Sequence, residues 1–354
     1  MHSTGPTFRK ALAATTALLI TACQSSSLNS ITPPSTAAVV APSNAIASID
    51  GSGKCRFGKV HVFNGPSGSG GALQIVSDRA GNLWYGSIGI NAIVKYVRRH
   101  GPAAYSISAP NAKPEGIALD PHGHVWFTEW NLPDIGRLAH GRVKQYNVSA
   151  LNGSASNAID MILGPDKRLW FTTDYNGIGA KSLHGGAVLY SLANNAEQPS
   201  KLAIGPDGNV WFTEFAGPNV GKITRSGAVT EYNVSGGQNS FGITAGPDGR
   251  IWFTDPQNHR IGAIDTDGTG LTYYSVGAGS PAEITGRKHD RNLYFTEWNG
   301  YVGQITTKGV VRLCAIPAAS PTFVAFGITE DPVDHDMWFV DNSGVDRIGE
   351  LAVR

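Results

Sequence analysis

The chain has 354 residues, with 28 lysines and arginines against 27 aspartates and glutamates, so its formal net charge is +1. This balance excludes the basic excess expected of a nucleic-acid-binding protein. Hydrophobic residues make up 41% of the chain, which is enough to build a core and excludes disorder for most of its length. With 44 glycines, eight tryptophans and only 16% charged residues, the composition favours an all-β protein with many short strands and tight turns.

The first 22 residues have the features of a lipoprotein signal peptide. Arg9 and Lys10 precede an apolar stretch at 11–20, which is too short to span a bilayer. The stretch leads into the sequence Ile-Thr-Ala-Cys at 20–23, which resembles a bacterial lipobox. We therefore predict a signal peptide at 1–22 and lipidation of Cys23, with an ordinary secretory signal as the alternative. Acyl chains on this cysteine would hold the protein at a membrane surface of the cell envelope.

The segment after the lipobox is predicted to be a tether. Gln24 follows the cysteine, rather than the aspartate that retains many lipoproteins at the inner membrane. A host with two membranes would therefore carry the protein on the outer one, facing the periplasm. Residues 23–54 are rich in Ser, Ala, Pro and Asn and show no persistent helical or strand period, which predicts a flexible connection between lipid and domain.

From residue 55 onward one phrase occurs seven times: a tight turn, an aromatic pair, a threonine, an acid and, further on, Ile-Gly. Successive copies are 41 to 44 residues apart, as measured at their first aromatic residues, which are Trp84, Trp126, Trp170, Trp211, Trp252, Tyr294 and Trp338. This period fits four short strands with turns, the size of a propeller blade. Residues 55–354 are therefore predicted to form one seven-bladed β-propeller whose aromatic pairs pack as core.

The two ends of this domain are expected to meet in one blade. The last repeat stops at the end of the chain and lacks an outer strand, whereas the segment at 59–65 has the outer-strand pattern. We expect this N-terminal segment to complete the seventh blade and close the ring, which removes exposed sheet edges.

Two cysteines lie within the predicted propeller, Cys55 and Cys314. An extracytoplasmic compartment permits a disulfide between them. The predicted blades place them toward opposite ends of neighbouring outer strands, which argues for two separate buried thiols. Both alternatives remain compatible with the sequence.

The repeated Trp-Phe-Thr-Glu and Ile-Gly phrases with Gly-Pro-Asp-Gly turns, over residues 55–354, resemble the streptogramin B lyase family. The resemblance implies a propeller that opens a cyclic depsipeptide by elimination, with a histidine as base and a magnesium ion held by a histidine and glutamates. A base with a pKa near 7 and a metal that stabilises enolate charge suit that reaction. The corresponding positions in the last two blades hold Ala282, Val324 and Phe326, and no glutamate follows the last aromatic pair. Both imidazoles are missing, which disfavours lyase chemistry of the family type.

Residues that break the seven-fold pattern are the better candidates for binding a ligand. Charges at the entrance of the inner strands would lie at the narrow central channel, where they are costly unless solvated or paired. They would form either a polar pocket floor or a set of mutually paired charges in a water-filled channel. Two tryptophans beside strand-end acids could stack on a sugar or an aromatic ligand, or pack against the adjacent loop. A histidine in the blade-five loop is either a ligand-face group or a solvated loop residue. These candidates are Glu115, Asp160, Lys201 and Glu283 in the channel, Trp130 and Trp298 beside the acids, and His259 in the loop.

The acids that end the second strands recur in most blades, which indicates a role in the blade itself. We expect them to accept hydrogen bonds from loop backbone of the neighbouring blade. A ring of carboxylates could also hold magnesium or calcium, which prefer oxygen ligands. The metal candidates are Glu129, Glu214, Asp255, Glu297 and Asp341.

Three functions are compatible with these features. The first is a lipid-anchored, monomeric binding module whose top face, where the chain enters each inner strand, takes a small molecule, a peptide, a glycan or an envelope protein. The second is a metal-dependent lyase or lactonase-type enzyme with a rearranged site. The third is an envelope assembly protein without a small-molecule site. The missing histidines favour the first or the third; we prefer the binding module, and no catalytic residue is assigned.

Overall fold

The computed structural model describes residues 38–40, 47–48, 54–148, 157–174, 177–192, 198–234, 240–317 and 323–354. The predicted signal peptide and the lipidation site at Cys23 lie outside the described residues. The described chain consists of strands and turns, arranged in seven sheets. It contains no helical segment with the length and hydropathy needed to cross a membrane.

The sheets follow one another along the chain as blades of a propeller. Four strands precede the first blade, namely β1 (Ala38–Val40), β2 (Ala47–Ser48), β3 (Lys54–Cys55) and β4 (Gly58–Ser69). Blade one contains β5 (Ile75–Ser77), β6 (Leu83–Ser87), β7 (Ala92–Val97) and β8 (Gly101–Ser106). Blade two contains β9 (Pro114–Leu119), β10 (Val125–Glu129), β11 (Asp134–Ala139) and β12 (Arg142–Asn147). Blade three contains β13 (Ala158–Leu163), β14 (Arg168–Thr173), β15 (Gly177–Ser182) and β16 (Ala187–Ser191).

The later blades repeat this plan. Blade four contains β17 (Pro199–Ile204), β18 (Val210–Glu214), β19 (Asn219–Ile223) and β20 (Val229–Asn233). Blade five contains β21 (Ile243–Ala245), β22 (Ile251–Asp255), β23 (Arg260–Ile264) and β24 (Thr272–Ser275). Blade six contains β25 (Pro281–Gly286), β26 (Leu293–Glu297), β27 (Tyr301–Ile305) and β28 (Val311–Ala315). Blade seven contains β29 (Ala325–Glu330), β30 (Met337–Asp341) and β31 (Val345–Val353). The all-β, seven-bladed propeller predicted from the repeat period is confirmed.

Segments from the N-terminal side add strands to the last three blades. Strand β4 pairs antiparallel with β31 and takes the place of the missing outer strand of blade seven, with β3 beyond it. Strands β1 and β2 pair in parallel with the outer strands β24 and β28 of blades five and six. The stretch predicted as a tether thus contains two short strands, because the outer edges of these blades offer backbone hydrogen-bonding groups that need no side-chain pattern.

The repeated aromatic residues are core, as predicted, and each has a fixed partner. In blade two the Trp126 indole N–H donates to Asp120 Oδ2 of the preceding turn at 3.0 Å, and its ring stacks on Tyr146 of the outer strand with centroids 5.3 Å apart. The next aromatic, Phe127, lies against Gly136 of the third strand, where a Cβ would clash with its ring. The motif glycine therefore leaves room for the motif phenylalanine.

The repeated threonine joins neighbouring blades. Thr128 Oγ1 accepts the backbone N–H of Gly116 in its own blade at 2.8 Å and donates to the Ile159 carbonyl of blade three at 2.6 Å. The same pair of bonds is made in the next three blades by Thr172, Thr213 and Thr254. We call these four residues the threonine links. They set the register between adjacent inner strands from blade two to blade six.

Cys55 and Cys314 form a disulfide, with Cα atoms 5.4 Å apart. The expectation that the two cysteines lie too far apart was wrong because it took the outer strand of blade seven as the edge of the sheet. The sheet continues past β4 to β3, and this extra strand brings Cys55 beside β28, which carries Cys314.

Candidate functional site

One residue of each inner strand lies at the same level of the central channel. In the sequence, this residue comes directly before the one that pairs with the second aromatic residue of the motif. In blades two to six its backbone N–H donates a hydrogen bond to the hydroxyl of the motif threonine, which in blade six is Thr296. We call these seven residues the channel ring: Gln74, Gly116, Asp160, Lys201, Gly242, Glu283 and Gly327.

The three glycines of the channel ring lie where neighbouring inner strands come closest. A Cβ at Gly116 would lie 2.6 Å from the Ile159 carbonyl oxygen, and one at Gly242 would lie 2.6 Å from that of Ala282. Blades two and five therefore need glycine at this level. Blades three, four and six carry charged side chains at the same level, so the charge is not a requirement of the blade.

The three charged members of the ring form a buried ion cluster. Lys201 Nζ lies 2.9 Å from Glu283 Oε1 and 3.7 Å from Asp160 Oδ1, and the three side chains are 4%, 12% and 1% exposed. Asp160 Oδ2 accepts the Leu202 N–H at 2.8 Å. Burial opposes the charge of Lys201, but the neighbouring carboxylates outweigh it and raise the pKa of the ammonium. The cluster therefore contains a protonated lysine throughout the physiological pH range.

Glu115 lies one residue before the channel ring, and this corrects the prediction that it shares a level with the other three charges. It is aligned instead with Phe241 and Phe326, because Gly116 is the residue bound by the threonine link. Its carboxylate is buried and interacts electrostatically with Lys201, Asp160 and Glu283. Oε2 of Glu115 has no hydrogen-bond partner among the described residues.

Burial raises the pKa of both deeply buried carboxyls in the cluster, and the Lys201 ammonium only partly reverses the effect. The pKa of Glu115 rises to about 7 and that of Asp160 to about 6. The pKa of Glu115 is raised on folding, so the stabilisation that its proton provides is present below pH 4.5 and is lost as the pH rises through 7.

We therefore expect Glu115→Gln to remove part of the pH dependence of stability. Between pH 5 and pH 8 the free energy of unfolding of the native protein should fall by about 2 kcal/mol relative to that of the variant. Urea unfolding of both proteins at the two pH values measures this difference. The control is Asp265→Asn, because the Asp265 side chain is 46% exposed. The free energy of unfolding of this variant should change with pH as that of the native protein does. Parallel pH profiles for native protein and Glu115→Gln would contradict the assignment.

The ion cluster borders a cavity of about 330 Å³ that extends along the inner strands. Asp160, Lys201 and Glu283 line its polar end together with Gln74. The other lining residues belong to the inner strands, and most of their aliphatic side chains pack into the cores between blades. They are Ile75, Val76, Ile162, Leu202, Ala203, Ile204, Ile243, Thr244, Ala245, Ile284, Thr285, Gly327, Ile328 and Thr329. Four of the predicted binding residues thus lie close together in the channel. Asp160, Lys201 and Glu283 line the cavity, and Glu115 is buried beside them.

The two candidate tryptophans lie beside this cluster rather than in it. The ring of Trp298 stacks on that of Phe326, with centroids 5.9 Å apart, and meets the ring of Phe241 edge-on at 6.1 Å. Trp298 therefore packs against residues of neighbouring blades, and packing was one of the two alternatives considered for it. Phe241 in turn lies 5.4 Å from Lys201 Nζ. The half-buried Trp130 has Lys113 Nζ 5.6 Å from its ring centroid.

His259 is held in the blade-five loop by its backbone and its ring. Its φ is +53°, and its Nδ1 donates to the Gly279 carbonyl of the neighbouring blade at 2.7 Å. This bond fixes the ring at the blade-five to blade-six junction, so the histidine is more than a solvated loop residue.

The five predicted metal-binding acids are fully buried and are not brought together. Asp255 accepts from Asn258 and Arg260, whereas Glu129 accepts from Gln145. Asp341 likewise accepts from residues of its own blade, among them Arg347. The hydrogen bonds seen for these three acids therefore lie within one blade, not between neighbours as expected.

Burial raises the pKa of three of these acids, that of Glu129 to about 7, that of Glu297 to about 8 and that of Asp255 above its ordinary value. Within the described ranges, three possible ligand atoms of acidic, histidine or cysteine side chains lie within 4.8 Å of one another only at Asp334, Asp336 and Glu350. Asp334 of that group already pairs with Arg98. Binding of magnesium or calcium by the strand-end acids remains a prediction.

Gln74, Phe241 and the three ring glycines were missed by reasoning from the sequence. The motif threonine was the signal that could have found two of them, Gly116 and Gly242, since in blades two to five the ring residue lies 12 positions before it. Phe241 could not be recognised in this way because it is one of several aromatic residues outside the motif.

Known proteins match the whole propeller. The chain matches the virginiamycin B lyase family over residues 39–236 and again over 153–354. It belongs to the virginiamycin B lyase family. No curated protein sequence matches it.

Solved members of the family share the fold over nearly their whole length. Virginiamycin B lyase from Staphylococcus aureus is 29% identical, with a TM-score of 0.76 over 84% of this chain and 99% of that one. A catalytically inactive variant of the S. aureus enzyme with quinupristin is 28% identical, with a TM-score of 0.77 over the same shares of the two chains. A streptogramin B lyase structure is 26% identical, with a TM-score of 0.74 over 83% of this chain and 97% of that one.

This member of the virginiamycin B lyase family has apolar side chains where the resemblance predicts the two imidazoles. Ala282 is fully buried, and Phe326 is 3% exposed and packs on Trp298 and Phe241. Neither side chain can accept a proton or bind a metal. The aromatic rings occupy this part of the top face as a hydrophobic cluster next to the ion cluster.

Proposed function

We propose that this protein is a ligand-binding propeller of the cell envelope, anchored by lipid at Cys23, and that it lacks streptogramin lyase activity. The observation that carries the proposal is the convergence of Asp160, Lys201 and Glu283, from three different blades, on one cavity in the central channel. The site would lie in this channel, below the top face.

The physical argument is the cost of burying charge. Removing a carboxylate or an ammonium from water costs several kcal/mol, and replacing a buried ion pair by apolar residues is often neutral or stabilising. Blades two, five and seven have glycine at this level, so a charge there is not a general requirement of the blade. A buried ion cluster that only three blades carry, placed at a cavity of ligand size, is best explained by recognition of a ligand.

Binding is tested by a thermal-shift screen with classes of small molecules: amines, carboxylic acids, sugars and short peptides. The native protein and Glu283→Gln are compared, because Glu283 is the most exposed member of the ion cluster and glutamine keeps its shape. At least one class should raise the Tm of the native protein and leave that of the variant unchanged. If no class separates the two proteins, the channel is not a binding site.

Absence of lyase activity is tested with quinupristin and magnesium. We expect the ring of the antibiotic to stay intact in the presence of the purified protein, because neither Ala282 nor Phe326 can take a proton. Mass spectrometry and chromatography of the antibiotic over time give the result, with a streptogramin B lyase as positive control. Rapid linearisation would show that another residue replaces the histidine.

Lipid anchoring is tested with Cys23→Ala. The variant should leave the membrane fraction and appear in the soluble envelope fraction, because the diacylated cysteine would be the only anchor that we propose. Ser25→Ala serves as control, since it changes a residue close to the lipobox but keeps Cys23, and it should stay with the membranes. Unchanged partitioning of Cys23→Ala would refute the anchor.

A further inference from the structure

We propose that the channel cavity binds a small molecule that carries a primary ammonium group. This inference rests on the proposed function and assigns a chemical class to the ligand of that site. It follows from the charge of the polar end, from a buried acceptor atom on the cavity wall and from the size of the cavity.

The polar end of the cavity carries more negative than positive groups. Two carboxylates on its wall, those of Asp160 and Glu283, face one ammonium, that of Lys201, and Glu115 is buried close to all three. A single lysine compensates one of the two wall carboxylates, so the cluster attracts a further cation. An anionic ligand would meet an excess of like charge in a setting of low dielectric constant, where repulsion is strong.

One buried oxygen atom on the cavity wall lacks a hydrogen-bond donor within the described ranges. Oδ1 of Asp160 accepts no hydrogen bond, and the nearest cation, Lys201 Nζ, lies 3.7 Å away. Asp160 is only 1% exposed. A buried acceptor without a donor is costly, and an ammonium brings three donors to such a site.

The size of the cavity limits the ligand. A volume of about 330 Å³ is at the lower end of small-molecule sites, which admits a short amine rather than a peptide or an oligosaccharide. Most of the isoleucine and leucine side chains along the cavity pack into the cores between blades, so the charged end is the part that would select the ligand.

A metal ion fits the cluster less well than an ammonium. Lys201 Nζ already lies between Glu283 and Asp160, the place where a bound cation would be coordinated. A divalent ion there would have a permanently charged ammonium as its neighbour. An organic ammonium can instead bind the remaining oxygens from the cavity side, with its charge farther from the lysine.

Hexylamine is the probe for the test, with hexanol, hexanoate and magnesium chloride as comparison compounds. Isothermal titration of the full-length native protein should show saturable binding of hexylamine, at least tenfold weaker binding of hexanol and no binding of hexanoate or magnesium. Both Glu283→Gln and Asp160→Asn should weaken hexylamine binding at least tenfold. Asp267→Asn, an exposed acid outside the channel, should leave it unchanged.

The possible failures are distinguishable. Equal binding of hexylamine and hexanol, preferred binding of hexanoate or magnesium, or equal affinity of the native and Glu283→Gln proteins for hexylamine would each overturn the ammonium assignment. A stabilising ligand of another class in the thermal-shift screen would then leave the binding function in place. If the screen also finds none, both proposals fail.

Discussion

Lys201→Met lowers the free energy of unfolding by about 4 kcal/mol at pH 8, which is the expected cost of removing one partner from a buried ion cluster. The variant leaves Asp160 and Glu283 facing each other without a cation, at the distances that the native ammonium now spans. Methionine has nearly the same length as lysine without its charge, so the loss is electrostatic rather than steric.

The effect of Lys201→Met depends on pH in a defined direction. Burial raises the pKa of Glu115 and Asp160 even beside the lysine, and loss of the lysine raises both further. A carboxyl whose pKa rises on folding stabilises the native state below its unfolded pKa, and this contribution is lost as the pH rises through the folded value. The deficit of the variant is therefore smaller at pH 5 than at pH 8. Urea unfolding at the two pH values measures it.

Lys181→Met is the matched control for this experiment. Lys181 is also buried, but its Nζ donates to the carbonyl oxygens of Ser182 and Gly185 and has no carboxylate partner in the part of the chain that the structure describes. Its replacement should cost about 1 to 2 kcal/mol, equally at both pH values. A loss at Lys201 that is no larger and no more dependent on pH than the loss at Lys181 would contradict the ion cluster.

Removal of the disulfide is expected to have an effect of similar size. The bond between Cys55 and Cys314 closes a loop with a sequence separation of 259 residues, so it restricts the unfolded chain strongly. Cys55→Ser, Cys314→Ser and the double variant should each lose about 4 kcal/mol of stability, because any of them breaks the same bond. Dithiothreitol should lower the Tm of the native protein to that of the variants and leave theirs unchanged. Additive losses in the double variant, or no increase in free thiols of the denatured native protein on reduction, would contradict the bond.

The fold was predictable because each motif residue has one repeated task. Trp126, Phe127 and Thr128 illustrate it: the indole binds the turn, the ring lies on the glycine of the next strand, and the hydroxyl links two blades. Spacing of such residues sets the blade size, and blade size sets the number of blades. The disulfide was harder to foresee, since it depends on Cys55 lying in a strand added beyond the expected edge.

The site was predictable in its residues but not in its geometry. Departure from the repeat singled out Asp160, Lys201 and Glu283, and the structure brings these three together. The prediction placed Glu115 one residue away from its actual position in the channel. The register of the inner strand depends on the threonine hydrogen bond, and composition does not reveal that bond. The aromatic cluster around Phe241 arises from contacts among three blades, and no local pattern encodes it.

The threonine links are present in only part of the ring of blades. They join blades two to six, but blade one has Gly86 and blade seven has Val340 at the equivalent position. Blades seven and one are joined instead by Asp346, which accepts from Tyr85 and Ser87. Five consecutive blades thus form an arc whose members are neighbours in sequence. Three junctions lie outside this arc, the two on either side of blade one and the one between blades six and seven. Blade seven combines strand β4 from the N-terminal side with β31 at the C-terminal end, so during synthesis it can be completed only after the last strand has been made.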